Sequence, residues 1–339
     1  MGYRFYKKNL ISLLLSYVFL FISGCITAEK PQTVESNVDA SPPLEWQSPL
    51  LKTHPLVGQI FNTSTQSPVS RDQLFTALDQ YRYLLIGEKH DNPDHHQIEQ
   101  LILESIAQPE QTRIVFEMLN YQQNDALRLL SSDDSLSQIK TKLEWNDKSW
   151  SWLDYGPLIQ VGLIQQSEII AGNLPRETLL SIYQQGTAEL SNSQRFSTFG
   201  KIPESVRERI LTQVFDSHCQ TMAKERLSPM VDIQIARDAS MAFSLSDDLK
   251  ATETAVLISG NFHNRKDLGV PLHLNILDPK KNHTLVIALL EVEQDRIEPG
   301  DYTSIAESAD YIWFTPKFSD QNYCAELRAR AEKKRTAHQ

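Results

Sequence analysis

The sequence predicts an α/β fold: a mainly parallel sheet with helices on both faces and a small inserted helical subdomain. Three observations predict it. Apolar runs such as Tyr83–Ile86, Arg113–Phe116, Thr254–Ser259 and Leu285–Leu290 are continuous, as in strands covered on both faces. Helical patterns separate these runs, the alternation that builds parallel sheets. Two of the runs also end in one shape, Gly-x-x-His, at Gly87–His90 and Gly260–His263. Glycine lets the chain turn sharply where a buried strand stops. In open α/β sheets ligands collect outside the carboxyl ends of the strands. Two histidines delivered this way are expected to face one site.

Residues 1–25 read as an address. Arg4, Lys7 and Lys8 give a positive start, and Leu10–Ile22 is a mostly apolar stretch with the length of a signal-peptide core, too short to span a bilayer. Ile22-Ser23-Gly24-Cys25 has the form of a bacterial lipobox, in which Cys25 becomes the first residue and carries lipid. An ordinary signal peptide with an incidental cysteine is the competing explanation. Ile26 stands where an aspartate would favour inner-membrane retention, so the expected place is the outer membrane, facing the periplasm. Residues 26–55 are rich in Ser, Pro and Thr without periodicity and predict a flexible tether. A domain is expected over 56–325 and a charged, fraying tail over 326–339. The net charge of −10 argues against a nucleic-acid partner.

Within the domain, Leu56–Phe61 predicts a first strand. Ser70–Gln80 predicts a helix with Leu74, Phe75 and Leu78 on one face. After the Tyr83–Ile86 strand, Asn92 as cap and Pro93 in the first turn start a helix to Ala107. Its core-facing stripe is expected to be Ile98, Leu101, Ile102 and Ser105. Strand Arg113–Phe116 ends in Glu117-Met118, and helix Tyr121–Ser131 follows. Strand Glu168–Ala171 ends in Gly172-Asn173-Leu174-Pro175-Arg176. Residues 176–248 are the helical insertion. Thr254–Ser259, Leu285–Leu290 and Tyr311–Phe314 complete the sheet. Cys219 and Cys324 can pair in an oxidising compartment, but sequence separation does not show proximity.

The strand ends carry Glu88 and His90, then Glu117, then Asn173 and Arg176, then Asn261, His263 and Arg265. Loops are polar in any case, yet His and Arg recur here in place of Ser, Lys and Gln. His90, His95 and His96 lie within seven residues, beside Asp91, Asp94 and Glu99. Histidine and carboxylate suit zinc, iron or manganese. At a helix start, His95 and His96 can equally serve the first turn, and His96 can pair with Glu99 on one face. Adding His263 and Glu117 from other strand ends strengthens the metal reading. A carboxylate at Glu117 or Glu88 is either a general base with a raised pKa or a structural brace. Trp145, Trp150, Trp152, Tyr121 and Tyr155 either pack helix on sheet or line a flat ligand such as a porphyrin, where tyrosinate can ligate ferric iron. There is no Cys-x-x-Cys-His for covalent haem, no Gly-x-Ser-x-Gly elbow and no phosphate-binding glycine loop.

Gly87-Glu88-Lys89-His90-Asp91-Asn92-Pro93-Asp94-His95-His96 resembles the signature of the ChaN family of haem-binding lipoproteins. Further matches are Phe116–Met118, Trp152–Pro157, Ala171–Arg176, Gln234–Ala242, Gly260–Arg265 with Gly269–Pro271, and Asp310–Pro316. The resemblance covers roughly residues 56–325. It implies an iron-regulated lipoprotein that binds haem, with two cofacial haems between paired subunits and tyrosine as iron ligand, helped by a histidine. Tyr155 is the expected tyrosine and Tyr183 the reserve. His95 and His96 are expected near the haem, with Arg176 or Arg265 on its propionates. A haem-uptake receptor is the expected partner. Phe262 departs from the glycine expected inside Gly260–His263 and is expected to narrow the site. The family is also similar to the Tiki/TraB proteins and the erythromycin esterases. That similarity implies an alternative, a metal-dependent hydrolase in which His90 and His263 bind a divalent ion and Glu117 or Glu88 activates its water.

Overall fold

A computed structural model describes residues 43–280, 283–302 and 307–336. The signal segment, Cys25, tether residues 26–42 and the last three tail residues lie outside them. The strands are β1 Ile60–Asn62, β2 Ser67–Val69, β3 Tyr83–Glu88, β4 Thr112–Asn120, β5 Glu168–Asn173, β6 Thr254–Gly260, β7 Thr284–Glu291 and β8 Tyr311–Thr315. They form one sheet in the order β2-β1-β8-β7-β3-β6-β4-β5. From β8 to β5 every neighbouring pair is parallel, while β1 and β2 add an antiparallel edge.

The helices are α1 Arg71–Leu78, α2 Pro93–Glu104, α3 Asn124–Leu127, α4 Leu136–Lys142, α5 Trp152–Ile164, α6 Arg176–Gln185, α7 Glu204–Ser217, α8 Ser228–Ser246, α9 Asn261–Asn264, α10 Val270–Leu277 and α11 Tyr323–Thr336. The strand period of two sorts the core into two layers. Leu84, Ile86, Ile114, Phe116, Val256 and Ile258 pack under α1, α2, α4 and α5. Tyr83, Leu85, Val115, Ala255 and Leu257 pack under α8 and α10. Asn92 caps α2 through the Asp94 amide, with Pro93 in the first turn as expected. The buried stripe of α2 is His95, Ile98, Glu99, Ile102 and Leu103, so Leu101 and Ser105 sit beside it rather than in it.

From β3 the chain crosses over β6 to reach β4, whereas from β6 it crosses over β3 to reach β7. The two connections thus run in opposite directions past each other, and the helices that follow them, α2 and α10, lie on opposite faces. Because the two loops leave to opposite faces, a crevice opens at the carboxyl ends of the two strands. Both Gly-x-x-His turns border it.

Several features differ from the sequence reading; the helix expected over Tyr121–Ser131 is only the four residues of α3, and the strand expected over Leu56–Phe61 is β1, starting at Ile60. Residues 46–50 are docked, not tethering: Gln47 and Ser48 amides donate to Asp94 at 2.7 and 3.0 Å, and Leu50 bridges Lys317. Helix α5 runs through Gly156-Pro157, and α4 was not anticipated. In the 176–248 segment, α7 builds an apolar cluster of its own with the first half of α8, but the second half of α8 covers the sheet through Met241, Ala242 and Leu245. The tail is helical to Thr336, and Cys219 and Cys324 form a disulfide that ties α11 to the end of α7. Among the described residues no helix is long and apolar enough to cross a membrane.

Candidate functional site at the sheet's switch point

In the β3–β6 register Gly87 lies beside Ser259 and Glu88 beside Gly260. A Cβ on Gly87 would stand 2.5 Å from Asn261 Oδ1, and one on Gly260 would stand 2.8 Å from His90 Nε2. Each glycine therefore clears room for the polar side chain that follows the other strand. This close approach, not a left-handed backbone, is what the glycines supply.

Glu117, in β4 one residue past its last pairing with β6, is the meeting point. Its Oε2 accepts the Gly260 amide at 2.9 Å. His90 Nδ1 is held 2.8 Å from Glu88 Oε1, which turns its Nε2 toward Glu117 Oε2 at 3.8 Å. His263 Nδ1 is held 2.5 Å from Asp238 Oδ1, which turns its Nε2 toward Glu117 Oε1 at 3.3 Å. Arg237 adds a cation 3.9 Å from the same carboxylate. Two imidazoles, each oriented by a carboxylate behind it, thus present Nε2 to one shared carboxylate. Such backing fixes the tautomer and orientation of histidines that ligate metals or move protons.

The charges follow. Burial alone would raise the Glu117 pKa, but His263 and His90 outweigh it and hold the group down at about 2. Burial alone would lower His263, but Glu117 and Asp238 push it up to about 10. His90 is likewise raised, Glu88 and Glu117 overcoming its burial. Asp238 is pushed up to about 6, burial prevailing over its histidine. Glu117 is therefore an ionised brace in this arrangement and not a base with a raised pKa.

Behind His90 lies a second, sealed group. Tyr155 donates its hydroxyl to Glu88 Oε1 at 2.7 Å. His96 Nδ1 lies 3.0 Å from both Glu88 Oε2 and Glu99 Oε2, and only the Glu99 contact has hydrogen-bond geometry. His96 Nε2 lies 3.2 Å from the His90 carbonyl. Among the described residues, one trio of His, Cys, Asp or Glu has ligand atoms all within 4.8 Å of one another, and it is Glu88, His96 and Glu99. His90, Glu117 and His263 converge more loosely than that.

Several expected haem contacts fall elsewhere. Tyr155 is 1 % exposed, and burial with the Glu88 charge raises its pKa far above the phenol range, so it is not placed to ligate iron as tyrosinate. His95 is fully buried; it accepts the Lys89 amide, meets Thr315 Oγ1, and burial pushes it down to about 3. His96 is buried with Glu88 and Glu99. Arg265 makes two 2.9 Å contacts to Asp267. Phe262 packs with the apolar cluster of α7 and α8 rather than narrowing the rim. Tyr183 is exposed on α6, and Arg176 opens that helix at the rim.

A cavity of about 390 Å³ lies beside the histidines, with Trp145, Trp150, Asn173, Arg176 and Arg237 among its walls. The Trp150 ring stands 4.7 Å from the His90 ring. Arg237 and Asp238 sit inside a long helix where no strand end marks them, and only the Gln234–Ala242 match to the family points to that stretch.

A family model described as haem-binding uptake, Tiki superfamily, ChaN matches residues 74–274, more than half of the chain. None of the curated proteins matches. Among solved structures the chain is similar to ChaN of Campylobacter jejuni, with 23 % identity and a TM-score of 0.61, covering 80 % of this chain and 98 % of that one; it was solved with cofacially bound haem. An erythromycin esterase mutant, EreC, in its open conformation matches at 9 % identity and a TM-score of 0.41, covering 78 % and 99 %. The type III effector HopBA1 matches at 14 % identity and a TM-score of 0.38, covering 73 % and 93 %. The first likeness supports the α/β fold, and the family's description supports haem as the cofactor. The chain belongs to the ChaN family of haem-binding uptake proteins in the Tiki superfamily.

Proposed function

We propose that this protein is a lipid-anchored haem-binding protein that serves haem or iron acquisition or storage at the cell envelope. The observation that carries the reading is the rim cavity, whose walls combine the indoles of Trp145 and Trp150 with the side chains of Arg176 and Arg237. That pairing suits a flat, apolar ring with carboxylates on its edge. Tyr183 replaces Tyr155 as the candidate iron ligand. It is 47 % exposed and lies seven residues, about two helical turns, beyond Arg176 on the same side of α6. Cofacial binding in the C. jejuni protein supports a pair of subunits around the haems here.

The lipobox at Cys25 supports a lipid anchor, with acyl chains such as palmitate holding the domain to the outer membrane. The Cys219–Cys324 disulfide supports an oxidising compartment such as the periplasm. A haem-uptake receptor fits as the partner that exchanges the ligand. The metal-dependent hydrolase has less support, because His90, Glu117 and His263 are spread more widely than the ligands of one ion.

Haemin titration of the purified protein, read by absorbance, tests the proposal. A Soret band that saturates at a fixed stoichiometry is expected, shifted in Tyr183→Phe, weakened in Arg176→Ala with Arg237→Ala, and retained in Tyr155→Phe. No spectral change at stoichiometric haemin defeats it.

A further inference from the structure

We propose that Glu88, His96 and Glu99 bind one divalent transition-metal ion in the interior behind the rim, at a site separate from the haem and from His263. Three side chains supply one nitrogen and two carboxylates, all from fully or almost fully buried residues. Ligands about 2.1 Å from a common zinc or manganese ion stand ~3.0–3.4 Å apart. His96 Nδ1 is 3.0 Å from an oxygen of each glutamate, so small adjustments seat an ion among them.

Two further observations point the same way. The first is the imidazole's outer nitrogen. His96 Nε2 lies 3.2 Å from the His90 carbonyl, so Nε2 carries the proton and Nδ1 is free to be the ligand. Metal-bound histidines are oriented in this manner by a backbone carbonyl behind them.

The second is the set of orphaned oxygens. Glu88 Oε2 and Glu99 Oε1 are buried and have no hydrogen-bond partner. A divalent ion gives Glu88 Oε2, and through a chelating carboxylate Glu99 Oε1, the partner that each lacks.

The remaining polar groups facing the cluster fit this arrangement. Tyr155 from α5 donates to Glu88 Oε1, and His90 from the β3–α2 turn uses the same oxygen. Glu88 Oε2 is thereby left for the ion. The ligand set holds no sulfur, which favours zinc, manganese or ferrous iron over copper(I). Such an ion fixes Glu88, and through it the ring of His90 at the rim. Its role is positional, since no open coordination site reaches solvent.

Haem-free protein, unfolded in chelator and refolded with zinc, manganese or no metal, gives the test. Elemental analysis is expected to find one equivalent of metal in the wild type and in His263→Ala, and less than a tenth of that in Glu99→Gln. X-ray absorption at the zinc edge is expected to show one imidazole with oxygen neighbours. It settles the location even if Glu99→Gln fails to refold, because a rim site at His90 and His263 would show two. Wild-type protein that retains no metal, metal lost in His263→Ala but kept in Glu99→Gln, or two imidazoles on the zinc overturns the proposal.

Discussion

Replacing either glycine of the paired turns by alanine probes the convergence of the site directly. At Gly260 the new methyl would stand 2.8 Å from His90 Nε2 and 3.1 Å from Cε1, against about 3.4 Å and beyond for ordinary contact. His90 is 37 % exposed at its side chain, so its ring can swing outward. Doing so breaks the 2.8 Å contact to Glu88, a charge-assisted bond worth about 1.5–3 kcal/mol. At Gly87 the methyl would meet Asn261 Oδ1 at 2.5 Å and its Cα at 3.1 Å. Asn261 is fixed by donating to Leu289 O at 2.7 Å, and backbone does not swing away. Gly87→Ala is therefore expected to cost about 2–4 kcal/mol, the overpacking penalty plus one lost hydrogen bond. Gly260→Ala is expected to cost about 1.5–3 kcal/mol, the lost Glu88 contact, because the overpacking strain itself escapes to solvent. Urea denaturation of both variants measures this. In a His90→Ala background, which removes the clashing ring, the Gly260→Ala penalty is expected to fall below about 0.5 kcal/mol. An undiminished penalty in that background would refute the account of the two turns.

Two further outcomes are expected. Glu117→Gln removes one partner of a buried ion cluster and is expected to cost about 3–5 kcal/mol near pH 6. Its pH dependence has two limbs. Glu117 is held at about 2 against a usual 4.5, so its contribution is complete above 4.5 and disappears as pH falls toward 2. His263 is raised to about 10 from 6.5, so its contribution is complete below 6.5 and disappears as pH rises through 10. Wild-type stability measured at pH 3, 6 and 10 should peak in the middle, and the Glu117→Gln curve should be flatter; parallel curves would speak against the cluster. Reducing the Cys219–Cys324 bridge opens a loop of 105 residues, with an expected loss of up to about 4.7 kcal/mol on the chain-entropy estimate. Thermal melting with and without reductant checks it, and coincident melts would show that α11 adds no stability through this bond.

The parallel strands were legible because buried strands write themselves as unbroken apolar runs between glycines and caps. The Asn92-Pro93 helix start was legible for the same local reason. What the sequence concealed depended on distance. Helix α5 carries Gly156-Pro157, two residues that locally argue against a helix. It forms because Trp152, Tyr155, Leu158 and Ile159 are buried in the core, and Gly156 admits the Trp152 ring at a distance a Cβ would not allow. Residues 46–50 looked like tether by composition, yet the acceptor for their amides, Asp94, lies more than forty positions away.

The site divides in the same way. His90, Glu117 and His263 were legible as strand-end residues, and the structure brings them together. Asp238, which orients His263, and Arg237 were not, since a helix interior hides which face meets the rim. The haem contacts expected at Tyr155, His95 and His96 went astray because residue type signals chemistry but not burial. Those three rings are sealed by Glu88, Thr315 and Glu99.

Iron-edge anomalous scattering from crystals of the haem complex tests the central claim most directly. The account places the iron at the carboxyl-end rim of the sheet, over the cavity bounded by Trp150 and Arg176 and within reach of Tyr183. Iron on the opposite edge of the sheet, or no ordered iron in crystals grown with stoichiometric haemin, would contradict it.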